Sequence, residues 1–274
     1  MLAFFAQYSK LVDQAGINAL LALSLSLSLR AGHLALAQAA FMGIAAYVGS
    51  IGAVDLHWTL LESTFAGALA AGIAAAILAL PVARLRGIFL AIATIGFGEI
   101  ARVVEINAPI TDGAEGFSDI PNDAGTLAIY AALLATVAAL FLLGRSKWAL
   151  AIAATREDEN AARGCGIDVG LVRTTTLVSG AVIAGVAGVL YAHANFFITP
   201  GDFGFPRMEQ ILVYCVIGGV TSSTGAVMGA AVMTALPETI RFLHDYREVT
   251  TGALLLAIII LAPGGLAQLW RRHA

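Results

Sequence analysis

Charge is scarce in this chain. Only 12% of its 274 residues are Asp, Glu, Lys or Arg, against 59% hydrophobic residues, and soluble domains carry about twice that share of charge. With a formal net charge of −3, it offers no basic surface for nucleic acid. Cysteine is nearly absent: Cys165 and Cys215 stand alone, without metal-ligand spacing and too few for a disulfide framework. No phosphate-binding glycine loop, His/Cys cluster or nucleophile constellation occurs, so this chain is expected to be no enzyme and to hold no metal or cofactor. No linker or low-complexity tract divides it, and a single membrane domain over residues 1–274 is expected. The start, Met1-Leu-Ala-Phe-Phe, lacks a basic segment, so no cleaved signal peptide is expected.

What the chain has in abundance is uncharged apolar sequence. Such runs cover 34–54, 63–83, 124–144, 174–201, 210–237 and 250–270, each near the ~20 residues that cross the hydrocarbon as a helix. Shorter candidates lie at 14–29 and 87–98. The expected fold is all-α, a polytopic integral membrane helical bundle of about 8–10 spans, some short or broken. Small residues repeat every fourth position, at Gly180, Ala184, Gly188 and Ala192 and at Gly67, Ala71 and Ala75. Such stripes let helices approach closely, and packing inside one bundle is favoured over a dimer face.

Loop charge gives the chain an orientation. Arg30, Arg84, Arg86, Arg145, Lys147, Arg156, Arg163, Arg173, Arg271 and Arg272 fall in alternate connections, while Asp55, Glu62, Asp112, Glu115, Asp119, Asp123 and Asp202 fall in the others. Lys and Arg are retained in the cytoplasm, so the basic connections and the C-terminus are expected there. This parity holds only if 210–237 turns back as two short crossings or a re-entrant pair. The natural break is the run GGVTSSTG at 218–225, whose freed backbone groups need protein or a wet cavity around them.

One connection is unlike the rest. Residues 154–167, ATREDENAARGCGI, predict a short helix from 156 to 163 with Thr155 as its N-cap, acidic residues in its first turn and glycines at its end. Glu159 and Arg163 are spaced to pair. Ala161, Ala162 and Cys165 form a small-residue stripe beside a polar one. Two readings stand side by side, a docking surface and a charged connector lying on the headgroups.

Polar residues inside apolar runs mark candidate contacts with a solute. Glu99 and Arg102 are three apart, next to Gly96 and Gly98, where the helix is expected to break near Thr94. The alternative for Glu99 is a salt bridge at the helix's outer end. Gln38 can bond across helices, and Gly218 and Gly219 open the late glycine run. His33 and His193 sit near opposite membrane boundaries, where lone histidines are interfacial more often than they are proton relays.

Four stretches together resemble one family. Residues 31–47 (AGHLALAQAAFMGIAAY), 84–89 with 95–100 (RLRGIF and IGFGEI), 156–167 (REDENAARGCGI) and 217–230 (IGGVTSSTGAVMGA) are similar to motifs of the permease subunits of branched-chain amino acid ABC importers, of the LivM type. The resemblance implies a permease that forms, with a sister permease, a path for branched-chain amino acids or similar small solutes. It implies two ATPase subunits holding ATP and Mg, a periplasmic solute-binding protein, and a bacterial-type inner membrane location. The cytoplasmic coupling helix would lie at about 155–166, with Arg156, Glu157, Asp158, Glu159, Ala161, Ala162, Arg163 and Gly164 coupling to the ATPase. Gln38, Thr94, Gly96, Gly98, Glu99, Gly218 and Gly219 would belong to the translocation path. Gln38 replaces the family's usual His, Asp112 falls where its outer loop is usually Gly-Gly, and the late motif has fewer glycines. Urea or short amides therefore stand as alternative solutes, and a secondary transporter built around Glu99 and Arg102 as an alternative mechanism.

Overall fold

A bilayer offers no water to backbone amides and carbonyls, so a chain crossing it must close its hydrogen bonds within helices. The computed structural model describes residues 2–82, 84–111, 113–219, 222–239 and 252, and it is all-α. The helices are α1 (Leu2–Arg30), α2 (Gln38–Asp55), α3 (Leu60–Val82), α4 (Ile88–Asn107), α5 (Thr126–Gly144), α6 (Lys147–Glu157), α7 (Glu159–Gly164), α8 (Val169–Asn195), α9 (Phe205–Gly218) and α10 (Ser223–Thr239). Short 3-10 turns lie at Gly113–Glu115 and Pro200–Phe203.

Four helices are long and apolar enough to cross a membrane: the Ser9–Arg30 part of α1, then α3, α5 and α8. The α9–α10 pair, bent by 119° at its break, makes a fifth if it counts as one span. The chain is a polytopic helical membrane protein. With α2, α4 and the short α9 and α10 beside these four, the described residues are consistent with the expected bundle that includes short or broken spans, and the run at 250–270 lies outside those residues. At 1.5 Å per residue, α2 and α4 reach about 27 and 30 Å, but polar residues along them dilute their apolar character. The 218–225 break expected from sequence is where the chain turns back. At about 21 and 26 Å, α9 and α10 are each shorter than a hydrocarbon core of about 30 Å.

Small residues place α8 at the centre, packed against α1, α2 and α3. Gly180, Ala184, Gly188 and Ala192 are all buried along it. A Cβ on Gly188 would lie 2.1 Å from the Met42 carbonyl oxygen, so only glycine permits this crossing of α2 and α8. The stripe thus serves packing within the molecule. Large apolar side chains face outward instead: Leu61, Phe65, Leu69, Ile73, Ile77 and Leu80 form an exposed row along α3. Dry small residues inside and bulky ones outside suit a surround as apolar as the interior. Two serines buried in α1 are satisfied within their own helix, Ser24 donating to the Leu21 carbonyl and Ser26 to that of Leu23.

The bundle has two unlike ends. One gathers Arg30, the α3–α4 connection, the α5–α8 connection and the start of α8; we call it the basic end. At the other, a strap from the α4–α5 connection is pinned by a Phe117–Ile198 bridge and by the His193 Nδ1 contact with the Pro121 carbonyl at 2.9 Å. His193 is fully buried, so its place is structural.

Candidate functional site

Two regions carry the residues that sequence singles out. The first is the α6–α7 elbow at the basic end. Instead of one helix capped by Thr155, α6 runs on to Glu157 and a second helix, α7, follows. Thr155 is buried inside α6 and donates to the Ala151 carbonyl at 2.8 Å. Its hydroxyl is thus used within a turn that continues from Lys147. Asp158 makes the cap: its backbone is extended, with φ −153 and ψ 112, and its Oδ1 accepts from the Asn160 and Ala161 amides at 2.8 and 3.1 Å. The coupling segment expected at 155–166 is therefore the end of one helix, an elbow and a six-residue helix.

Around that elbow Arg156, Glu157, Asp158, Ala161, Arg163 and Gly164 are exposed. Ala162 is buried against its own chain and Cys165 is exposed, so the anticipated small-residue stripe splits between two faces. Glu159 does not pair with Arg163. It points inward, bonded to Arg173 of α8 through Oε1 and ion-paired with Arg86 of the α3–α4 connection at 3.4 Å through Oε2. Both partners are distant in sequence, so spacing along the helix gave no sign of them.

The second region is a cleft where α2, α4 and the start of α9 meet. Leu36, Ala39, Ile95, Gly98, Glu99 and Gly204 are among its lining residues. The expected break of α4 near Thr94 does not occur: α4 is continuous through Gly96 and Gly98. Thr94 bonds back to the Leu90 and Ala91 carbonyls, both at 2.9 Å. The neighbouring chain is the one that departs from helix. Residues 31–37 are non-helical, begin at Gly32 with φ +76 and lead into α2 without a side-chain cap. Within this stretch the Leu36 amide donates to Thr94 Oγ1 at 2.8 Å. Thr94 therefore fastens α4 to the unwound approach of α2.

Glu99 and Arg102 meet as spacing predicts, Arg102 Nε donating to Glu99 Oε2 at 2.9 Å. Space beside Gly96 and Gly98 is open, with no atom within 4 Å of where a Cβ would lie. Gln38 is fully buried; its Oε1 accepts from the Ala37 amide at 3.1 Å and its Nε2 has no partner. The structure thus brings Thr94, Gly98 and Glu99 to one place, with Gln38 at the adjoining helix start. Gly218 and Gly219 are not in the cleft. Gly218 packs on the α9–α10 break, where a Cβ would lie 2.0 Å from the Gly225 carbonyl oxygen. Asp112 lies outside the described residues.

Sequence reasoning passed over Glu105. It is 5% exposed, neither carboxylate oxygen has a hydrogen-bond partner, and a Cβ on Gly43 would sit 2.6 Å from Oε1. Arg207 was also missed: Nη2 donates to Asn18 Oδ1 at 3.0 Å, and the guanidinium lies over the Tyr191 ring at 5.4 Å. Ionisable residues near the ends of apolar runs were the available signal. Among the described residues no three His, Cys, Asp or Glu side chains group as a metal site.

Comparison with known proteins agrees with this architecture. The high-affinity branched-chain amino acid transport system permease protein LivM of Escherichia coli (strain K12) is 31% identical over 78% of this chain and 58% of its own length. LivH of the same organism, also named as a permease protein of that system, is 30% identical over 48% of this chain and 44% of its own. The autoinducer 2 import system permease protein LsrC of Yersinia pseudotuberculosis is 25% identical over 47% and 39%. The chain therefore spans less than two thirds of the length of these curated relatives. No solved structure matches it. Residues 7–263 match the family described as branched-chain amino acid transport system / permease component, and the chain belongs to that family.

Proposed function

We propose that this chain is a permease subunit of an ATP-driven importer and forms, with a related second permease, a path for branched-chain amino acids or similar small solutes. The observation that carries this reading is the α6–α7 elbow: six exposed residues on a well-capped turn at the basic end of a membrane bundle. A connector lying on lipid headgroups would have no use for so defined a shape. ATP and Mg would be held by two partner ATPase subunits, the solute delivered by a periplasmic binding protein, and this chain would be non-catalytic. The positive-inside rule places the elbow and the C-terminus in the cytoplasm of a bacterial-type inner membrane. There Arg156, Glu157, Asp158, Ala161, Arg163 and Gly164 face the ATPase, while the packing of Ala162 holds the turn in place. The cleft lined by Gly98 and Glu99, with Thr94 buried at its wall and Gln38 behind it, lines the path; Gly96 belongs to the same stretch of α4, and Gly218 and Gly219 shape the α9–α10 turn. Naming of relatives for amino acids and for autoinducer 2 supports a small polar solute and leaves its identity to the binding protein.

Docking is tested by E157A/R163A in the complete complex, with ATPase co-purification and solute uptake measured together. Both should fall, by about tenfold, as expected when charged contacts at a partner surface are lost. Unchanged co-purification and uptake would overturn the docking face.

A further inference from the structure

Of the charged residues at the elbow, Glu159 alone is turned into the molecule. Its side chain is 22% exposed, it follows directly on the Asp158 cap, and its two oxygens are divided between two arginines on different elements. Arg173 lies in the second turn of α8, and its own side chain is 13% exposed. Arg86 immediately precedes Gly87, the residue that starts α4 with φ +56. Among the described residues no second carboxylate pairs with either guanidinium. One carboxylate thus ties the start of α7 to the starts of two membrane helices.

Neutralising Glu159 would leave the guanidinium of Arg173 largely buried without its counter-charge, a costly state, so α7, α8 and the α3–α4 connection are held together as a unit. The helix beyond Arg86 is stiff. From Ile88 to Glu99, α4 is unbroken, and eleven residues at 1.5 Å each carry a displacement of its first turn about 16 Å, to the cleft. A second contact runs the same way: a Cβ on Gly32 would lie 3.1 Å from the Arg156 Cα, and the segment starting at Gly32 ends on the Leu36–Thr94 bond.

Taking ATPase docking on the elbow as given, we infer that Glu159 is a positioning residue that transmits movement of α7 to α4 and α8 through Arg86 and Arg173, and is not itself part of the docking surface. The carboxylate bridges the two arginines while α7 is pushed or drawn by its partner. Without the bridge α7 still meets the ATPase, but its displacement no longer reaches the cleft.

The test uses E159Q, which keeps the side chain's size, in the complete complex with both permeases, ATPases and binding protein in proteoliposomes. ATPase subunits should co-purify as in the wild type and ATP hydrolysis should stay within about twofold, while solute taken up per ATP falls about tenfold, within the usual span of coupling between sites. E159D should recover part of that loss. R86Q, altering an arginine whose side chain is 55% exposed, should uncouple in the same direction, and E159Q/R86Q should be no worse than E159Q alone. Loss of ATPase co-purification in E159Q would make Glu159 a docking residue and overturn the inference. Normal uptake per ATP in E159Q, or in R86Q should E159Q fail to reach the membrane, would overturn it as well. Failure of the docking reading shows separately, as unchanged co-purification in E157A/R163A.

Discussion

His33 lies in the non-helical stretch between α1 and α2, 5% exposed, and neither ring nitrogen has a hydrogen-bond partner of good geometry. Burial pushes the imidazole down to about 4, the Arg173 guanidinium adds to that effect, and the Ala31 backbone opposes it. A histidine free in water titrates near 6.5. Between those values the unfolded chain binds the proton and the folded chain does not, so stability is full above about pH 6.5 and declines as pH falls toward 4. From pH 6.5 to pH 5 the wild type should lose about 2 kcal/mol relative to H33N, at 1.36 kcal/mol per unit. Unfolding of the two proteins in detergent across that range measures it. Equal pH dependence would mean that His33 is charged, or wet, in the folded protein. The sequence placed His33 near a membrane boundary but could not foretell its burial, because the residues enclosing it, such as Val82, Leu90 and Leu177, come from three other helices.

At the scale of elements, the hydrophobic runs and small-residue stripes were legible because they follow from local chemistry: helix length from membrane thickness, close crossing from glycine. What escaped was competition between neighbouring signals. Thr155 read as the cap and Asp158 as an acid of the first turn. The aspartate caps α7 because α6 continues through Thr155, whose hydroxyl bonds within its own helix. Gly96 and Gly98 suggested a broken α4, yet a helical glycine costs only about 1 kcal/mol against alanine, less than unsatisfied backbone groups in a membrane. The interruption fell instead at 31–37, where only the Ala-Gly-His start hinted at it. The cap on α7 is testable. A six-residue helix cannot stand by itself, so D158A, costing about 1 kcal/mol, should speed hydrogen exchange at the Asn160 and Ala161 amides about fivefold. D158N, which keeps an accepting oxygen, should change little. Equal exchange in D158A would mean that packing of Ala162, and not the cap, holds α7.

At the scale of the whole molecule, the gathering of basic connections at one end was the most legible property and the contacts that join its two candidate regions the least. Loop charges are local in sequence and survive folding unchanged, whereas the Glu159 bridge joins residues 14 and 73 positions apart. The basic connections do converge at one end of the bundle: Arg30 closes α1, Arg86 precedes α4, Arg145 follows α5 and Arg173 opens α8. That end also carries Cys165, exposed just beyond α7, whereas Cys215 is fully buried in α9 and donates to the Ala22 carbonyl at 3.1 Å. The two cysteines therefore report separately, the first on sidedness and the second on the integrity of the core. If basic connections stay in the cytoplasm, a membrane-impermeant maleimide should label Cys165 in inside-out vesicles and leave it untouched in right-side-out ones. Cys215 should resist the reagent in both until detergent unfolds the protein, and C165S should abolish the signal. Labelling of Cys165 from the outside would invert the bundle, put the elbow out of reach of any cytoplasmic ATPase, and overturn the import reading together with the role drawn for Glu159.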